Sequence, residues 1–164
     1  MLHEGIGYRH LVLTVPEALR GLFYRYPAEL YEGSMKIGSQ MMDDAVSTAK
    51  GKALELGYIV GLQTAGRAAN YNPHLHIIMT DGGLDSEGRW HSLGYLRYQI
   101  IHRKWQYYLL GMVKEVLSGV AGVAELIDTL WKQYPRGLVT HLQEETVPKI
   151  AKYVVSPPIL CHRH

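Results

Sequence analysis

Two runs of β-favouring residues, Tyr58–Thr64 (YIVGLQT) and His74–Thr80 (HLHIIMT), are separated by only nine residues, 65–73 (AGRAANYNP). A parallel crossover needs a dozen residues or more, so this spacing calls for an antiparallel hairpin. The connecting segment has the Gly and Asn-Pro chemistry of a turn. Upstream, Tyr8–Thr14 (YRHLVLT) is a further strand that runs into Val15-Pro16, and proline suits the first turn of a following helix. Glu17–Phe23 carries a helical pattern that Gly33-Ser34 is expected to break. Ser34–Leu56 resumes it through Met35, Ile37, Met41, Met42, Ala45 and Val46, with Gly57 in the place of a C-terminal glycine. Downstream, DGGLDSEGRW from Asp81 is a loop with room for a short edge strand. Ser92–Ser118 has the longest helical periodicity, followed by a short helix at Val123–Gln133 and a fourth strand at Gly137–Gln143. Thr146 suits the N-cap of a last helix that begins Val147-Pro148 and stops before Pro157-Pro158. The order β-α-β-β-α-β-α predicts an α+β fold of the ferredoxin-like, RRM-like split βαβ type. It is an antiparallel sheet with helices packed on one face.

Composition sets limits on function. At 164 residues the chain has the length of one domain, and 47% hydrophobic with 20% charged residues is ordinary for a globular one. The single Cys excludes an internal disulfide and any zinc module built on cysteines. No basic leader precedes an apolar core at the start, and no apolar run is long enough to span a bilayer, so a soluble cytoplasmic protein without a membrane partner is expected. A formal charge of +2 does not by itself imply a nucleic-acid partner.

Nine His and twelve Tyr are the unusual counts. Among them His74-Leu75-His76 is the most informative group, because alternate residues of a strand project from one face. Two imidazoles so placed can chelate one metal ion; equally, they can be two half-exposed, hydrogen-bonded strand histidines. Gln63 lies on the partner strand, where its amide oxygen could complete the set. It shares their face only if paired residue numbers sum to an odd value, as with Gln63 opposite His74 or His76; otherwise it is a cross-strand hydrogen-bonding residue. His10 and His141 also lie in strands, as core or surface residues or as groups a metal could recruit. Tyr153 has Lys149 one helical turn below it and Lys152 beside it, cations that would lower a phenol's pKa and hold a phosphate. Position alone would make it an ordinary aromatic. The Tyr95, Tyr98, Tyr107 and Tyr108 group suits either packing or base stacking.

In this order, RHLVLTVPEALRGLF, GLQTAGRAANYNPHLHIIMTDGGL and KYVVSPPI resemble the opening strand and helix, the metal-binding hairpin and the tyrosine segment of the rolling-circle insertion-sequence transposases. These belong to the HUH superfamily of single-strand nucleases. The resemblance covers nearly the whole chain. It implies one catalytic domain over residues 1–164, with His74 and His76 as metal ligands and Tyr153 as nucleophile; Gln63 is the candidate for the third ligand. It further implies a divalent ion, Mn or Mg, and single-stranded DNA at transposon ends as partner. Arg67, Lys149 and Lys152 are the candidates for holding the DNA backbone. In this family tyrosine attack on the scissile phosphate leaves a 5′-phosphotyrosine and a free 3′-hydroxyl, which allows strands to be rejoined without ATP.

Three features depart from the family pattern. Gln63 stands where many relatives have His. Lys149 occupies the position of the second tyrosine of two-tyrosine members, so a single-tyrosine enzyme is expected. A Cys-rich zinc region before the core and further chain after the tyrosine are both missing, as in a fragment or a degenerate copy. The expected activity is therefore a transposase that nicks and rejoins single-stranded DNA. The alternative is a catalytically silent nucleic-acid-binding remnant on the same fold, and a third reading is a hydrolase using an activated water.

Overall fold

A computed structural model describes residues 6–66, 68–145 and 159–163; for 141–145 and 159–163 the description is of the backbone. The chain runs β1 (Tyr8–Thr14), α1 (Glu17–Arg25), α2 (Pro27–Lys50), β2 (Tyr58–Ala65), β3 (Tyr71–Thr80), β4 (Gly82–Leu84) and β5 (Trp90–Ser92). It continues through α3 (Tyr98–Val116), α4 (Val123–Gln133), β6 (Thr140–Glu145) and β7 (Ile159–Arg163). The main sheet has the order β6-β1-β3-β2-β7, and every pairing is antiparallel. Its first four strands have the expected split βαβ arrangement, with α1 and α2 linking β1 to β2, and α3 and α4 between the hairpin and β6.

Strand alternation sorts the sheet into two faces. Leu11, Leu13, Val60, Leu62, Leu75, Ile77 and Met79 are buried in one core with Phe23, Leu30, Met41, Met42, Trp105 and Leu109 of the helices. His10, Val12, Ile59, Gly61, Gln63, His74, His76 and Ile78 occupy the opposite face by register. Trp105 ties the layers together, its Nε1–H donating to the carbonyl of Thr14 at 2.9 Å. That bond contributes about 1 kcal/mol net and anchors the end of β1 that pairs with His74.

Several boundaries differ from those expected, each for a local reason. Gly33-Ser34 does not break the helix, since α2 runs through it unbroken to Lys50. The glycines of α2 mark close approach instead: a Cβ at Gly33 would lie 2.7 Å from Met112 Sδ, and one at Gly38 would lie 2.7 Å from Leu75 Cδ2. The helix ends at Gly51, not Gly57. Gly51 adopts φ +70 and donates its N–H to Ser47 O at 2.9 Å. α3 starts at Tyr98 rather than Ser92. Residues 90–92 pair with β4 as a two-stranded hairpin, while Leu93 and Leu96 are buried from a connection that turns at Gly94, φ +59. β6 starts at Thr140 because Gly137, at φ +91, passes so close to α3 that a Cβ would sit 2.5 Å from the carbonyl carbon of His102. β7 is a fifth strand of the main sheet that the periodicity did not disclose. The expected helix after Thr146, with Lys149, Lys152 and Tyr153, lies outside the described residues, as does Arg67. Among the described residues no helix is long and apolar enough to cross a membrane.

Candidate functional site

The β2–β3 hairpin brings the metal-ligand candidates together. Gln63 pairs with His74, so the register sum is odd and Gln63 shares a face with both histidines. The strand is irregular immediately beyond, between Gln63 and Ala65, and the turn closes with the Gly66 N–H donating to Asn70 O at 2.9 Å. At the same end of β3 the Tyr71 hydroxyl is 2.7 Å from that of Tyr31, and Tyr24 packs edge-on against the Tyr71 ring. Burial, with Tyr31 beside it, pushes the Tyr71 phenol above its ordinary range, which suits it to anchoring the hairpin rather than to nucleophilic chemistry.

On the ligand face, His76 Nε2 is 3.1 Å from Gln63 Oε1. The His74 and His76 ring centroids are 4.8 Å apart. His74 Nδ1 is 2.7 Å from the Asn72 carbonyl oxygen. A carbonyl only accepts, so Nδ1 carries the proton, and in the neutral ring Nε2 keeps its lone pair. Burial, followed by the neighbouring His10 and His74, pushes the His76 imidazole down to about 3, so the ring stays neutral and able to act as a ligand through ordinary pH. His10, only 2% exposed on β1, places Nε2 2.6 Å from His76 Nδ1 with the two rings stacked.

By residue type this donor set suits a divalent ion. Two donors bound at about 2.1–2.2 Å and at right angles on one ion lie about 3 Å apart, close to the separation of His76 Nε2 and Gln63 Oε1. Two imidazole nitrogens and an amide oxygen form a mixed set that accommodates Mn and the later transition metals, and Mg less readily. Among the described residues no group of three His, Cys, Asp or Glu side chains converges on a metal position; the third candidate here, Gln63, is an amide. The cavity of about 630 Å³ beside Asp44, Arg103, Tyr107 and Trp131 lies on the helical layer, away from these groups.

The sequence brought His10 into view without its role, and the signal it lacked was register. With Tyr8 opposite Thr80 in the β1–β3 ladder, even-numbered residues of both strands share a face, which puts His10 with His76. The β6 ladder sets His141 opposite Val12, in the cross-strand row of His76 and Gly61. Tyr153, Lys149, Lys152 and Arg67 lie outside the described residues, so their relation to the histidines is a matter of sequence alone.

The family model Y2_Tnp, described as "Putative transposase", matches residues 57–163. The "Transposase for insertion sequence element IS801" of Pseudomonas savastanoi pv. phaseolicola is 29% identical over 168 aligned positions, covering 93% of this chain and 40% of that protein. "Putative transposase y4qJ" of Sinorhizobium fredii (strain NBRC 101917 / NGR234) is 27% identical over 81 positions, 49% of this chain and 20% of that one. The chain thus spans two fifths of the length of the first relative and one fifth of the second. Among solved structures, the N-terminal origin-recognition/nickase domain of human bocavirus non-structural protein 1 is similar at 14% identity with a TM-score of 0.48, covering 91% of this chain and 74% of that one.

Proposed function

We propose, from the premise that this chain belongs to the Y2_Tnp transposase family, that it is a domain that nicks and rejoins single-stranded DNA at transposon ends through a tyrosine nucleophile and a divalent ion. The observation that carries the reading is the hairpin register. It sets Gln63 beside the two histidines with His76 Nε2 and Gln63 Oε1 at 3.1 Å, the spacing of two donors on one ion.

His74, His76 and Gln63 would hold the ion, with Mn favoured by the nitrogen donors. When bound, it supplies neutralisation of charge on the scissile phosphate and orientation of that phosphate for in-line attack. Tyr153 is the nucleophile: its phenol oxygen forms a bond to phosphorus as the bond from phosphorus to the 3′-oxygen breaks. The phenol proton passes to solvent, and the departing oxygen takes one up as a free 3′-hydroxyl. Because the new phosphotyrosine ester conserves the energy of the bond broken, another 3′-hydroxyl can reverse the step and join strands. Lys149 and Lys152 are placed in sequence to favour the phenolate, and with Arg67 to hold the DNA backbone.

The test is incubation of the protein with single-stranded transposon-end DNA and Mn, followed by denaturing electrophoresis. A covalent protein–DNA adduct that disappears in Tyr153→Phe is expected; an undiminished adduct in that variant sinks the assignment. Absence of any adduct, together with no Mn binding in either the parent or His76→Ala, would favour a DNA-binding domain without chemistry. Turnover without an adduct would indicate attack by water instead.

A further inference from the structure

The hydrogen bond behind His76 implies a role for a residue that supplies no donor to the ion. His10 Nε2 lies 2.6 Å from His76 Nδ1, the nitrogen on the side of the ring away from Gln63. His10 is buried in the central strand pair, and its ring is stacked on His76 at 4.9 Å between centroids with 19° between planes. It therefore contacts the ring of a ligand candidate from behind.

We propose that His10 is a positioning residue that holds the His76 ring and accepts its Nδ1 proton when Nε2 is offered to the ion. This rests on the ligand assignment above. Two neutral arrangements share the same heavy-atom positions. In the ion-free protein, Gln63 Oε1 can only accept from His76 Nε2, which must then carry the proton; His76 Nδ1 accepts from His10 Nε2–H. Binding through His76 Nε2 requires that proton on Nδ1 instead. His10 permits this exchange, because its Nε2 can accept from Nδ1 as well as donate to it. The proton of His76 moves from Nε2 to Nδ1 and that of His10 likewise from Nε2 to Nδ1, with none gained or lost. Gln63 Oε1, no longer accepting from His76, is released to the ion in the same exchange. An apolar residue in place of His10 would leave Nδ1–H buried without an acceptor, opposing the ligand tautomer.

Two variants separate this role from mere packing. His10→Phe keeps a stacked ring without an acceptor, whereas His10→Gln restores a polar group near the position of Nε2. By calorimetric titration of the full chain with Mn, His10→Phe is expected to bind about 10–100-fold more weakly, with His10→Gln recovering most of the loss while the ion-free proteins melt alike. Equal affinity of His10→Phe and the parent overturns the proposal. If the parent itself binds no Mn, the ligand assignment has failed, and ¹⁵N spectra of the ion-free histidines decide the positioning role separately. A His76 Nδ1 resonance at the position of a nitrogen accepting a hydrogen bond in the parent, moved to that of an unbonded nitrogen in His10→Phe, supports it; identical spectra overturn it. Should His10→Phe not fold, the spectrum of the parent decides, with a His76 Nδ1 resonance that shows no hydrogen bond counting against the role.

Discussion

A carbonyl and an amide oxygen decide most of what the two histidines of β3 can do. The Asn72 carbonyl holds the proton of His74 on Nδ1, leaving Nε2 as the nitrogen with a lone pair. Gln63 offers a neutral oxygen where an imidazole in the same place would offer a softer nitrogen, and that difference leads to a prediction. Gln63→His should raise the affinity for Zn relative to Mn by on the order of tenfold, because later transition metals gain more from a third imidazole. Competition titrations with both ions measure the ratio. A ratio unchanged from the parent would mean that residue 63 does not touch the ion, and that its contact with His76 is only a cross-strand hydrogen bond. The His-x-His spacing and the position of Gln63 on the partner strand were both readable from the sequence. Their common face was not, because nine turn residues leave the register open and a shift of one residue would have sent Gln63 to the helical side.

The small β4–β5 hairpin shows how one side chain can organise an element that periodicity misses. Asp85 Oδ1 accepts from the amides of Glu87 and Arg89, both at 2.9 Å, while Oδ2 is 2.7 Å from His91 Nε2. The His91 bond first, with those amides, holds the carboxyl down to about 2 against an ordinary 3.8. The folded carboxyl thus binds its proton less readily than the unfolded one, and stability should fall as pH drops from about 4 toward 2. Following the Glu87 and Arg89 amide resonances through an acid titration tests this. Both should move with a midpoint near 2 in the parent, and Asp85→Asn should abolish the transition. A midpoint near 4 would show that these bonds do not discriminate between protonation states. Such local chemistry explains why the α3 boundary was misplaced. Leu93 and Leu96 have helical spacing from Ile100, yet Gly94 at positive φ and the pairing of Trp90–Ser92 with β4 take the segment out of the helix. In α2 the error ran the other way. Gly33 looked like a breaker because sequence does not reveal that Met112 packs where its side chain would be.

The molecule divides its labour across the sheet, with the apolar core and helices on one side and the ligand candidates on the other. β1 and β3 serve both sides at once: Leu11, Leu13, Leu75 and Ile77 face the core, while His10, His74 and His76 face away from it. For β3 that split was legible from strand alternation, whereas the fifth strand, β7, was not, since five residues after two prolines carry too little pattern to be told from a terminal extension. An ion gripped by residues of adjacent central strands cannot be released by fraying of an edge, so its binding should couple to global unfolding. At free Mn 100 times the dissociation constant, the gain is about 2.7 kcal/mol. For a domain of this length, that corresponds to a rise in Tm of roughly 5–10 °C. Calorimetric scans with and without Mn measure it, and His76→Ala should lose nearly all of the shift while remaining folded. A rise of the same size in the parent and in a variant carrying both His74→Ala and His76→Ala would place the ion elsewhere on the protein. A rise absent from the parent would leave the face with its hydrogen-bonded histidines and no ion to hold. The size of the shift relative to the measured dissociation constant carries a further distinction: a full shift means that the site exists only in the folded protein, while a smaller one means that the unfolded chain, with its nine histidines, binds the ion as well.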